Sequence, residues 1–209
     1  MMAAIAPSCM KSAALSHSKT MTTLKKGFTL VELLIVIAIL AVLATAVVVV
    51  LNPAELIKQA RDSTRISDLA ALYGAVALYY SDSSSSSTVA AVTNCTHLTT
   101  APGGAACTEN KITAIDGSGW VNINFNQMAS SPLSRIPLDP SNGSDSCKGE
   151  TPKICMYAYK SSSSTIGAFE IDANMESTKF FTGGAGHITD LDGGNNASWY
   201  EVGTNLTLI

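Results

Sequence analysis

A catalytic constellation is what this sequence most conspicuously lacks. Three histidines occur in 209 residues, and neither His97 nor His187 stands in a nucleophile motif. No phosphate-cradling glycine loop, His-Glu-x-x-His pair or Gly-x-Ser-x-Gly elbow is present, so the chain reads as a non-enzyme. Aromatic residues make up 6%, too few to suggest an electron-conducting aromatic stack. Positive charge is also scarce. All sixteen acidic residues follow Gly27, whereas four of the thirteen basic ones (Lys11, Lys19, Lys25 and Lys26) precede it. Nine basic residues therefore face sixteen acidic ones after Gly27, a net charge of −7. That excess argues against direct binding of a nucleic-acid backbone. Long apolar runs are absent too, with one exception.

The exception runs from Phe28 to Leu51, where only Thr29, Glu32 and Thr45 are not apolar. At about 1.5 Å per residue such a helix spans the ~30 Å core of a bilayer. Lys25 and Lys26 precede it directly, so the positive-inside rule keeps the amino end cytoplasmic and places everything after Leu51 outside. Glu32 is out of place: a carboxylate within a membrane segment is costly and marks a functional site, with a positive partner expected at its own depth. The span holds no cation. Cleavage between Gly27 and Phe28 would create one, the new α-amine of Phe28. In a bundle of identical helices that amine meets Glu32 of a neighbour. A Glu that snorkels to the headgroups is the plain alternative.

The stretch Lys25-Lys26-Gly27-Phe28-Thr29-Leu30-Val31-Glu32-Leu33-Leu34 resembles the class III signal of type IV pilins and type II secretion pseudopilins. The resemblance is specific over about thirty residues and loose beyond Leu51. It implies that a membrane-embedded prepilin peptidase cuts after Gly27 and N-methylates Phe28, and that Glu32 supports filament assembly. The partners it implies are further copies of the chain, the peptidase, and an inner-membrane assembly platform with its ATPase. Residues 1–27 are then a removable leader. It is long for the family, and a start at Met21 gives the usual short form, Met-Thr-Thr-Leu-Lys-Lys-Gly. A start at Met10 is a third option.

Residues 28–52 form the membrane half of a long helix and residues 53–82 its amphipathic half. Pro53 removes a backbone donor and marks a kink or local melting, or else a static bend at the membrane surface. Ile66, Leu69, Tyr73, Val76 and Tyr80 recur at helical spacing and predict an apolar stripe. Arg61, Asp62, Arg65 and Asp68 fall among the polar positions, facing solvent or neighbours. The serine tract Ser81–Ser87 ends the helix, and 83–209 form a globular head.

In the head, Trp120–Phe125 alternates as a short strand or extended segment. Pro132, Pro137 and Pro140 make a stiff loop similar to one that precedes the sheet in many pseudopilins. Lys153–Lys160, Ile166–Met175 and Trp199–Leu208 read as strands. Phe169, Ile171, Ala173 and Met175 are expected to face the helix; Glu170, Asp172 and Asn174 lie on the opposite side. The expected class is α+β: one long helix packed on a three- or four-stranded antiparallel sheet, the pilin fold.

Cys9 lies in the leader. The other four cysteines, Cys95, Cys107, Cys147 and Cys155, are exported and even in number, which reads as two disulfides. Of three pairings, Cys95–Cys107 and Cys147–Cys155 are favoured because each staples a local loop. Their spacings match no zinc ribbon. Asn94-Cys95-Thr96 fits an N-glycosylation triplet. Asp190-Leu191-Asp192-Gly193-Gly194-Asn195 resembles the first half of a calcium loop without its distal Glu. Asp190, Asp192 and Asn195 are therefore candidate calcium ligands, with a plain Asp/Gly turn as the rival; no other cofactor is expected.

The function expected is a structural subunit, processed, held in the cytoplasmic membrane and polymerised into a type IV pilus-like surface filament. A secretion pseudopilin or DNA-uptake pilin is the nearest alternative. A membrane-anchored binding domain that never polymerises is the alternative from another class.

Overall fold

The computed structural model describes residues 27–82, 90–98, 100–149 and 153–209. Residues 1–26, with Lys25 and Lys26, and residues 83–87 of the serine tract lie outside the described residues. The chain divides into two compact units, Met1–Val47 and Val48–Ile209.

Thr29 precedes α1, Leu30–Leu51, a 22-residue helix with no buried residue, which begins in the first unit. Its length and composition suffice to cross a membrane. The long helix is interrupted where Pro53 marks the expected kink or local melting. Asn52 adopts a left-handed conformation (φ 41°) and Pro53 opens α2, Pro53–Ser81. Asn tolerates that conformation better than most residues, and the fixed φ of proline suits the first helical position. The amides of Glu55 and Leu56 donate to the Asn52 carbonyl, which restarts the helical ladder immediately after the break.

The head builds a five-stranded sheet in the order β2-β1-β3-β4-β5. The strands are β1 (Thr93–Cys95), β2 (Thr108–Glu109), β3 (Tyr157–Ser161), β4 (Phe169–Ala173) and β5 (Tyr200–Gly203). All neighbours are antiparallel except β1 and β2, which run parallel. The three predicted strands are present but shorter, and the sheet gains β1 and β2 beside the first disulfide. Trp120–Phe125 is not a strand. It leads into a 3-10 turn at Phe125–Gln127, and Trp120, Val121, Ile123 and Phe125 are buried in the main core.

That core joins Leu69, Leu72, Ala75, Val76 and Tyr79 of α2 to Tyr157, Tyr159, Phe169, Ile171 and Ala173 of the sheet. The buried stripe of α2 is rotated from the expected one: it follows residues 62, 65, 69, 72, 76 and 79, while Tyr73 is 40% exposed. Tyr80 stacks on Phe169 at 6.1 Å. The far side of the sheet is covered as well. Cys95, Ala101, Met156, Ala158 and Trp199 form a second cluster there, with Ile209 packed against it. Consequently Glu170, Asp172 and Asn174, on the side away from the helix, are fully buried.

Candidate functional site

Gly27 and Phe28 are described just before α1, and Phe28 is 89% exposed. Thr29 and Glu32 close a reciprocal pair at the helix start. The Thr29 amide and hydroxyl both donate to Glu32 Oε2 at 2.9 Å, and the Glu32 amide donates to Thr29 Oγ1 at 3.2 Å. This is a capping box, Thr at the cap and Glu three residues on, which satisfies amides that the helix leaves open. The spacing Thr29-x-x-Glu32 before an apolar run was visible in the sequence as that signal, and reading Glu32 only as a charge missed it. The structure thus brings Phe28, Thr29 and Glu32 into one short segment at the head of a helix whose large apolar side chains are all exposed. An apolar surface of that extent requires lipid or other helices around it.

The head contains an ionic site that periodicity assigned to the surface. Asp62 and Arg65 of α2 are fully buried, one turn apart on the core-facing stripe. Arg65 forks onto Asp139: Nε donates to Oδ2 at 2.7 Å and Nη2 to Oδ1 at 2.8 Å. It also donates to Asp62 Oδ1 at 2.8 Å, Ser141 Oγ at 2.7 Å and Glu176 Oε1 at 3.0 Å. Asp62 in turn accepts the amides of Glu176 and Ser177 at 2.9 and 2.8 Å. Arg61 and the Ser141 hydroxyl also donate to Glu176. One guanidinium thereby ties α2 to the proline loop and to the segment after β4. Asp139 supplies the chemistry of that loop, which sequence reading credited with rigid spacing alone.

Burial opposes ionisation of Glu176, but hydrogen bonds from Arg61, Ser141 and Arg65 outweigh it and hold the carboxyl down at about 2. A depressed carboxyl stabilises the fold fully above its ordinary value of 4.5 and loses that contribution as pH falls toward 2. The thermal midpoint is therefore expected to drop across this window. Glu176→Gln should start lower and lose less between the same two pH values. Parallel profiles for the two proteins would contradict the assignment.

Both favoured disulfides are formed, Cys95–Cys107 with Cα atoms 5.8 Å apart and Cys147–Cys155 with Cα atoms 5.1 Å apart. Each constrains the unfolded chain by closing a local loop. Asn94 of the glycosylation triplet is 8% exposed and its amide donates to the Trp120 carbonyl, so it is occupied internally. The three candidate calcium ligands have separate engagements. Asp190 pairs with His187, Asn195 donates to the Ile209 carbonyl, and Asp192 accepts the amides of Gly194 and Glu201 at 3.0 and 2.8 Å. Asp192 shapes the turn that enters β5.

The prokaryotic N-terminal methylation motif matches residues 23–48. It covers the amino-terminal signal and most of α1. Comparison with curated proteins and with solved structures returns no match.

Proposed function

We propose that this chain, whose amino end carries the signal of type IV pilin-like prepilins, is a structural subunit cleaved after Gly27, methylated on Phe28 and assembled into a filament. The observation that carries this reading is the union of that signal with α1. The cut places a new amine beside Thr29 and Glu32, at the mouth of a helix with no buried residue. Before assembly the bilayer covers this helix, with its amino end cytoplasmic. In the filament, the helices of other copies replace the lipid, and the head, with eleven acidic and six basic residues in 83–209 and so a net charge of −5, faces outward. Each copy brings both partners of the proposed pair, the Phe28 amine and the Glu32 carboxylate, so one contact repeats along the fibre.

Intact-mass measurement of the chain isolated from filaments tests the reading. The expected species begins at Phe28, carries one added methyl and is four hydrogens light for its two disulfides. Bulky substitution of Gly27 is expected to leave the leader attached and to abolish filaments. A filament subunit that retains residues before Phe28 would overturn the proposal. Filament length and the phenotype of a deletion then divide a surface pilus from a secretion pseudopilus.

A further inference from the structure

We propose that Glu170, Asp172 and Glu201, on the side of the sheet away from α2, form a binding site for one divalent cation of calcium size. The cluster arises from strand register. Glu170 and Asp172 are two residues apart on β4, hence on one side, and Asp172 lies directly opposite Glu201 on β5. Like charges in that position repel across a ladder, and here all three residues are buried, at 0, 0 and 2% exposure. One oxygen from each lies within 4.8 Å of the others. Two oxygens on opposite sides of a calcium ion at about 2.4 Å are about 4.8 Å apart, so the spacing suits one shared ion.

The hydrogen bonds divide these carboxylates into two halves. Glu170 Oε2 accepts the amides of Leu208 and Ile209 at 2.6 and 2.8 Å, and Glu201 Oε2 accepts that of Asn196 at 3.4 Å. Their other oxygens, Glu170 Oε1 and Glu201 Oε1, have no hydrogen-bond partner among the described residues, and neither oxygen of Asp172 has one. Four buried oxygens thus lack a hydrogen-bond donor, while the backbone fixes the orientation of the two glutamates. Metal sites hold their ligands in this way. Leaving such groups ionised and bare is costly.

The local cation does not balance the site. Lys160, which pairs with Glu170 in the β3–β4 register, donates to the Leu208 carbonyl and gives one positive charge against three carboxylates. Asp192 adds further negative charge beside them. Burial pushes Asp172 well up, and Glu201 rises to about 7 through burial and then the charges of Glu170 and Asp192. The donors are all hard oxygens, which select calcium or magnesium over zinc or copper. Magnesium dehydrates reluctantly and keeps several waters, so a buried set of carboxylates favours calcium. Gly194 keeps the loop against the site: a Cβ there would lie 1.2 Å from Glu201 Oε2. A cleft of about 300 Å³ has Asp192 and Glu201 in its wall. These ligands differ from the Asp190-x-Asp192-Gly run that resembles a calcium loop. A bound ion would clamp β4, β5 and the carboxyl-terminal tail together.

The test uses the full chain in detergent, stripped with EDTA and titrated with calcium chloride or magnesium chloride while calorimetry and thermal unfolding are followed. Calcium is expected to bind one per chain and, at about a hundredfold excess over its dissociation constant, to raise the midpoint by about 5–10 °C. Magnesium should do less. Asp172→Asn should abolish the response, and Asp190→Asn should keep it. Should Asp172→Asn fail to fold, Glu201→Gln and terbium luminescence of the unaltered chain carry the same decision. Absence of binding at millimolar calcium would overturn the site in favour of carboxyls sharing protons. Undiminished binding in the Asp172 or Glu201 variant would overturn it too. Neither outcome touches the filament reading, which is tested at the other end of the chain.

Discussion

Replacing Arg65 by alanine is expected to destabilise the head by about 3–5 kcal/mol, the range for removing one partner of a buried ion pair. The magnitude follows from what remains. Asp62, Asp139 and Glu176 would stay in place, all but inaccessible to water, without the guanidinium that neutralises them. Asp62 would still cap the amides of Glu176 and Ser177, and Arg61 would still reach Glu176, so the site would not fall apart into solvent. It would remain buried and negatively charged. At about 2–4 °C per kcal/mol for a chain of this size, the thermal midpoint should fall by on the order of 10 °C. Arg65→Lys should recover only part of this, because a lysine cannot make the two-pronged contact with Asp139. Arg61→Ala should cost far less, since that side chain is 32% exposed and Arg65 still holds Glu176. Equal losses for Arg61→Ala and Arg65→Ala, measured by thermal unfolding in the same detergent, would show that burial does not set the energetics here.

The parts of the molecule legible in the sequence were those that a local pattern encodes. The apolar run, the break at Pro53, the amphipathic α2 and the β3–β4 pair each follow from residues close together in the chain. Both disulfides were readable for the same reason, since each closes a short loop. The misreadings share a different cause. Asp62, Arg65, Asp139 and Glu176 are polar by type, and only contacts spanning 74 to 114 positions make them interior. Asp62 and Arg65 even occupy the apolar helical period, yet a charged residue at such a position reads as a face boundary. Glu170 and Asp172 alternate correctly with Phe169 and Ile171. Alternation fixes the side of the sheet and says nothing about what covers it, and here the covering is a tail and loops near Ile209 that no period announces. β1 and β2 are three and two residues long, below the length at which alternation carries a signal.

Glu32→Gln is expected to abolish filament assembly while leaving the start of α1 intact, and this variant separates the two roles of the residue. Within one chain Glu32 completes a capping box with Thr29, and glutamine at that position can do the same, accepting through its amide oxygen. Between chains, the proposed contact is with the protonated amine of Phe28, and there the charge decides. In hydrocarbon an ion pair is opposed by little dielectric screening, whereas an amide beside an ammonium leaves that cation unbalanced. Glu32→Gln should thus insert, undergo cleavage and methylation, and accumulate in the membrane as unassembled subunit. Glu32→Ala should fail in the same way and also lose the carboxylate half of the cap. Thr29→Val removes the hydroxyl of the cap but keeps the charge, and it should still form filaments. Counting surface filaments by electron microscopy, with intact mass as the check on processing, decides the matter. Normal filaments from Glu32→Gln would leave Glu32 as a helix cap alone, and would remove the complementary charge on which the proposed packing of subunits depends.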